Sequence, residues 1–370
     1  MIIKNGLVFD SESKQFQIKD IFIKNQQFAN EADMTDADLA EVVDAEGLYV
    51  IPGLIDVHSH GAAGFDFSDA DPQGLAQILR YEKSCGITSY CPTTMTLDRE
   101  RIFAIIDTLN RLEQKEDMAH VAGINMEGPF LDAKKKGAHV EQCIQQPDID
   151  FFRECNQKSG NRIRLVTLAP NVPGAMEFIH ALKDETKISL GHTAADYETA
   201  KEAIDGGADH VTHLYNAMQP FSHRAPGLIG AAAESDTCMA ELICDGIHVH
   251  ESVVRATFSM FPDRVVLISD SMRAAGMKDG SYELGGQQVT VDGKLATLAD
   301  GTIAGSVTNL YKCMQTAVSF GIPLEEAVAA ATANPAKSIG IYDKVGSISV
   351  GKQADVLLLD KELNLKKVIT

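Results

Sequence analysis

Eight short apolar runs rich in β-branched residues, separated by helical stretches, constrain this chain more than any other feature. The first is built on Val50, Ile51, Leu54, Ile55 and Val57. The others fall near residues 87–93, 121–127, 163–169, 188–192, 210–214, 240–244 and 265–270. Helix signals lie between most of them. Asp71-Pro72 supplies an N-cap and a first-turn proline, with Gly86 after the end of that helix. Asp196 opens a second helix, and Gly206-Gly207 closes it. Strand–helix alternation leads to a parallel sheet covered by helices. Eight repeats fit a (β/α)8 TIM-type barrel, with an open doubly wound sheet as the competitor.

The two chain ends read differently. Residues 1–50 and the tail carry short strand-like runs with turn signals, such as 10–13 and Gly346 and Gly351. Chain termini commonly lie close together, so both ends are expected to form one small β-sandwich domain. The expected division is 1–52 and 344–370 for that domain and 53–343 for the barrel. A glycine-punctuated segment near 280–301 is expected to be an inserted β-hairpin.

Composition narrows the function. A formal net charge of −19 excludes nucleic acid as a partner, because such proteins need a basic face to displace phosphate counterions. No apolar run reaches the roughly 18–20 residues of a membrane helix, and the first residues lack the basic-then-apolar pattern of a secretory signal. Seven scattered cysteines, never in Cys-x-x-Cys, are the pattern of reduced thiols in a cytoplasmic protein.

Polar residues then fall where a barrel builds its active site, at the carboxyl ends of strands. His58 and His60 end the first run. Two residues apart on a strand, they project together, with Asp56 on the same side and Val57 and Ser59 opposite. Glu127 ends the third run, His192 the fifth and Asp270 the eighth, while His213 sits in the sixth. By alternation only one of His210 and His213 faces inward, and His213 is nearer the strand end. Imidazole and carboxylate from five strands form a donor set for a divalent cation, zinc or iron first, manganese or cobalt next. Such a cation lowers the pKa of a bound water from 15.7 toward about 7, and Asp270 is placed as the general base and acid for hydroxide attack on an amide.

The segments VIPGLIDVHSHG, INMEGPF, LGHT, VTHLYNAM, HRAPGLIG, DGIHV, ISDSM and DGTIAGS together resemble the N-acetylglucosamine-6-phosphate deacetylases of the amidohydrolase superfamily. The resemblance spans about residues 50–310. It implies hydrolysis of the acetamide of N-acetylglucosamine 6-phosphate to glucosamine 6-phosphate and acetate. It also implies that Glu127, His192 and His213 hold the family's common metal. His58 and His60 would form a second-metal pair, with Glu127 bridging. Leu168-Ala169-Pro170 stands where many superfamily members carry a bridging lysine. His139 corresponds to a histidine that stabilises the oxyanion. Arg224 and His248 correspond to phosphate contacts, and Asn216-Ala217 to a sugar-phosphate contact. A homodimer is implied as well, since the arginine loop of relatives tends to reach a neighbouring subunit's site. The alternatives are N-acetylgalactosamine 6-phosphate, a cyclic amide or amine, or a barrel that keeps metal only for structure.

Overall fold

A computed structural model describes residues 1–370. Eight parallel strands form the barrel: Leu54–Ser59, Ile87–Thr94, Ile124–Phe130, Ile163–Leu168, Lys187–Leu190, His210–Val211, Met239–Ile243 and Val265–Ile268. Each pairs in parallel register with the next in sequence order. Closure comes from backbone bonds between the eighth and first strands. The Asp270 N–H donates to the His58 carbonyl at 2.9 Å, and the His60 N–H to the Ser271 carbonyl at 2.8 Å. The open-sheet competitor is therefore excluded.

Local chemistry explains the helices between strands. Asp71 caps Pro72–Ser84 by accepting from the Gln73 and Gly74 N–H groups, and Gly86 takes a φ of 90° just beyond the end. Asp196 caps Tyr197–Gly206 in the same way, and Gly207 ends it at φ 126°. Apolar side chains from strands and helices merge into one large core. Burial on this scale, at roughly 25 cal/mol per Å² of apolar surface, holds the barrel together.

The termini meet in a second sheet. Its strand order is Leu365–Ile369, Val356–Leu359, Tyr49–Pro52, Ile2–Asp10, Gln15–Lys24 and Gln27–Ala29, with Val42–Asp44 beside Ile2–Asp10. Ile3, Val8, Ile21, Val50, Val356 and Leu358 belong to its separate core. This is the small β-sandwich domain. Tyr49–Pro52 runs directly into the first barrel strand through Gly53, where a Cβ would lie 2.1 Å from the Thr88 hydroxyl. Only glycine lets the two domains join that closely.

The insertion is a three-stranded meander, Gly280–Leu284, Gln287–Asp292 and Leu295–Thr297, one strand more than a hairpin. Leu284, Val289 and Val291 cluster with Met95, Ala138 and Met272, which seats the meander over the carboxyl ends of the barrel strands. No helix is long and apolar enough to cross a membrane.

Candidate active site

At that end a cavity of about 340 Å³ is lined by His60, Glu127, His139, His192, His213 and Asp270, together with Asn216, Ala217 and His248. Glu127 is at its centre. Its Oε1 lies 3.0 Å from both His192 Nε2 and His213 Nε2. Its Oε2 lies 3.2 Å from His60 Nε2 and 3.4 Å from both His58 Nε2 and His139 Nε2. Asp270 Oδ1 completes the second group, 3.3 Å from His60 Nε2 and 3.6 Å from His58 Nε2. One carboxylate thus divides the imidazoles into two sets, one set per oxygen.

Hydrogen bonds on the far side of three of the rings fix their tautomers, while His213 Nδ1 is buried without a partner. His192 Nδ1 donates to the Lys135 carbonyl at 2.9 Å, and His60 Nδ1 to the Thr93 carbonyl at 3.3 Å. His58 Nδ1 donates to Glu241 Oε2 at 2.9 Å. In the neutral ring each Nε2 is then a bare lone pair aimed at a carboxylate oxygen. Lone pair facing lone pair in a dry pocket is repulsive unless a positive charge lies between them. His58 Nε2 is buried with no hydrogen-bond partner. In a tetrahedral shell with bonds of about 2.0–2.2 Å, neighbouring donor atoms stand about 3.3–3.6 Å apart, close to the spacings of 3.0–3.6 Å here. The donor set fits a divalent cation.

The electrostatics agree. Burial disfavours charge on His60, yet Asp270 and Glu127 outweigh it and hold its pKa up at about 10. Burial likewise opposes ionisation of Asp270, but His60 and His58 keep its carboxyl down at about 2. Burial and the adjacent His139 instead lower His192 to about 4. The pocket demands positive charge that its rings cannot all carry together.

His139 differs from the other rings. Its Nδ1 accepts the Thr96 N–H at 3.1 Å, so its neutral ring carries the proton on Nε2. It is therefore a hydrogen-bond donor into the pocket, although its position alone would also suit a metal ligand.

Backbone strain accompanies the site. His192, His213 and Asp270 take φ values of 47°, 28° and 47°, and Ala217 takes 53°. Left-handed non-glycine residues cost of order 1–3 kcal/mol each and persist only where surroundings impose them. Here the Asp132 N–H donates to the His192 carbonyl, the Thr193 N–H to the Ala217 carbonyl, and the Ser306 N–H to the Asp270 carbonyl.

Two alternation arguments from the sequence meet bulges or turns. The first strand slips register between Asp56 and Ser59, three residues standing against two of the second strand. Asp56 consequently leaves the His58–His60 side. It accepts from the His58 N–H at 3.2 Å, and burial raises its carboxyl to about 7. The sixth strand ends at Val211, so alternation does not extend to His213. His210 is also buried, 3.8 Å from Glu241 Oε1, below the cavity.

Of the remaining expected residues, Asn216, Ala217 and His248 line the cavity, and Asp245 holds His248 Nδ1 at 2.7 Å. Arg224 does not. It is exposed on the loop before helix Gly227–Glu234, beside Asp196 and Glu234. Glu241 escaped the sequence reading, although a carboxylate inside the apolar seventh run was a visible signal.

The amidohydrolase family model matches residues 49–370. The chain belongs to the amidohydrolase family. It is 40% identical over 320 residues to the N-acetylglucosamine-6-phosphate deacetylase of Bacillus subtilis strain 168, covering 85% of this chain and 81% of that one. It is 34% identical to the N-acetylgalactosamine-6-phosphate deacetylase of Escherichia coli O157:H7, covering 88% of each. Among solved structures, a mutant N-acetyl-D-glucosamine-6-phosphate deacetylase of Mycobacterium smegmatis in complex with N-acetyl-D-glucosamine-6-phosphate superposes with a TM-score of 0.91. That pair is 29% identical, covering 100% of this chain and 97% of the other. This amidohydrolase therefore carries a histidine and glutamate cluster able to hold a divalent metal.

Proposed function

We propose that this amidohydrolase removes the acetyl group of N-acetylglucosamine 6-phosphate, giving glucosamine 6-phosphate and acetate. The observation that carries the reading is the Glu127 carboxylate, which offers one oxygen to His192 and His213 and the other to His58 and His60. The named relatives supply the substrate class.

His192, His213 and Glu127 would hold one divalent cation, zinc or iron first. His58, His60, Asp270 and the other Glu127 oxygen would hold a second. When bound, a divalent cation polarises an amide carbonyl and lowers the pKa of water toward about 7. The chain's own groups do the rest. Asp270, kept ionised by His60 and His58, takes the proton of the attacking water and returns it to the departing amine. His139 presents Nε2–H to the oxygen on which charge develops, an interaction worth about 10²–10³ in kcat at comparable sites. Asn216, Ala217 and His248 orient the sugar phosphate against the cavity wall.

No lysine or arginine lines this cavity, although the substrate is an anion. Arg224 stands free on an exposed loop. We assign it to the phosphate in the site of a second copy, which makes the working unit a homodimer. A guanidinium fork suits phosphate oxygens geometrically.

The test is acetate release by protein with measured metal content, on N-acetylglucosamine 6-phosphate, its galactosamine epimer and unphosphorylated N-acetylglucosamine. The glucosamine phosphate should be preferred. Equal turnover of the unphosphorylated sugar would overturn the phosphate assignment. A preference for the galactosamine epimer would select the second reading, which the 34% identical Escherichia coli relative favours. Arg224→Ala should chiefly raise KM, and mixing it with a catalytically dead Asp270→Asn protein tests sharing of the site between subunits.

A further inference from the structure

A second polar cavity lies at the opposite mouth of the barrel, where the strands begin. It measures about 380 Å³ and is lined by Arg162, Arg164, Lys344, His120, Ser89 and Gln353, among other side chains. No aspartate or glutamate lines it. In a chain of net charge −19, three permanent cations around one hollow without a carboxylate form an uncommon local inversion.

The cations are also unpaired. Arg164 forms no ion pair or hydrogen bond, and its Nε is buried without a partner. Arg162 spends Nη2 on the neutral Asn110 Oδ1 at 2.6 Å, and Nε on the Ser159 carbonyl. The Ser89 hydroxyl, on the second strand, is likewise buried and unpartnered. A buried donor left unsatisfied destabilises the fold, more so when it is charged. Gly123 provides the room for this arrangement. A Cβ there would lie 2.2 Å from Arg164 Cγ and 3.0 Å from the Arg162 carbonyl, so the arginine stem rests on bare backbone.

We propose that this cavity binds a phosphate-bearing anion. Two guanidinium groups and an ammonium match a dianion with several acceptor oxygens, and guanidinium meets phosphate oxygens in a planar fork. The apolar part of the lining, Leu109, Leu112, Val121, Ile341 and Val345, leaves space beyond one phosphate for a small attached group. Because Ile341, Lys344, Val345 and Gln353 belong to the segment leading into the sandwich domain, an anion here would tie that segment to the second and fourth barrel strands and to residues 120–122 just before the third. The inference is independent of the substrate reading.

The experiment is calorimetric titration of the metal-loaded full chain with inorganic phosphate. The host is an Arg224→Ala, His248→Ala background, which removes the arginine and histidine side chains assigned to the phosphate at the other mouth. Saturable binding should persist there, weaken at least tenfold with Arg164→Met, and weaken at least threefold with Lys344→Ala. Lys344 is exposed, so its variant keeps the test valid if Arg164→Met misfolds. Tighter binding of glucosamine 6-phosphate than of inorganic phosphate would identify a sugar phosphate as the occupant, and equal binding would identify free phosphate. Absence of binding in the background protein, or binding indifferent to Lys344→Ala, overturns the proposal.

Discussion

His58 Nδ1 stands 2.9 Å from Glu241 Oε2, and the same oxygen accepts the His213 backbone N–H at 3.0 Å. One buried carboxylate oxygen on the seventh strand thereby orients a ring from the first and the main chain just beyond the end of the sixth. Groups in such positions typically contribute 10–100-fold to metal affinity or activity. Glu241→Gln should lower metal affinity by that factor, read by titration of the metal-free protein with zinc. Affinity unchanged from the parent would show that His58 needs no such support.

Asp270 lines the cavity, with its Oδ1 3.3 Å from His60 Nε2. Asp270→Asn should cut kcat by about 10²–10⁴ while the circular dichroism spectrum and melting temperature stay close to the parent's. Turnover within a few-fold of the parent would remove it from proton transfer.

The tautomer of His139 separates donor from ligand. Because the Thr96 N–H occupies its Nδ1, His139→Phe should leave the number of bound metal ions unchanged and lower kcat by about 10²–10³. Elemental analysis decides between the roles. Loss of one metal equivalent would make His139 a ligand.

Asp355, at the start of strand Val356–Leu359, is only 5% exposed, and its Oδ2 has no partner. Burial raises its carboxyl from 3.8 to about 6, against bonds from Thr88 and Gln353. The folded state then holds a proton that the unfolded chain has already released between those values. Stability from this group is full below pH 3.8, falls as pH rises toward 6, and stays reduced above it. The loss is on the order of 2–3 kcal/mol. Asp355→Asn should therefore stabilise the protein at pH 8 and do little at pH 4, measured by denaturant titration at both. An equal shift at the two pH values would contradict the linkage.

Much of the site was legible because strand ends concentrate function in a barrel. Glu127, His192 and Asp270 were locatable from where apolar runs stop. Asp56 was not, because a bulge is a backbone irregularity with no residue pattern of its own here. Glu241 was not, because its partners lie far away in sequence, and only folding brings His58 within reach of it.

By itself, the order of residues determined the alternation of strands and helices, the caps that begin and end those helices, and the donor atoms available to a cation. These depend on neighbours within a few positions, where dihedral preference and hydrogen-bonding reach act. Tertiary structure alone decided which oxygen of Glu127 faces which imidazole, which nitrogen of His58, His60 and His192 is bare, and where Arg224 and Arg164 stand. Those outcomes depend on contacts between segments tens to hundreds of residues apart, set by closure of the barrel and the register of its strands.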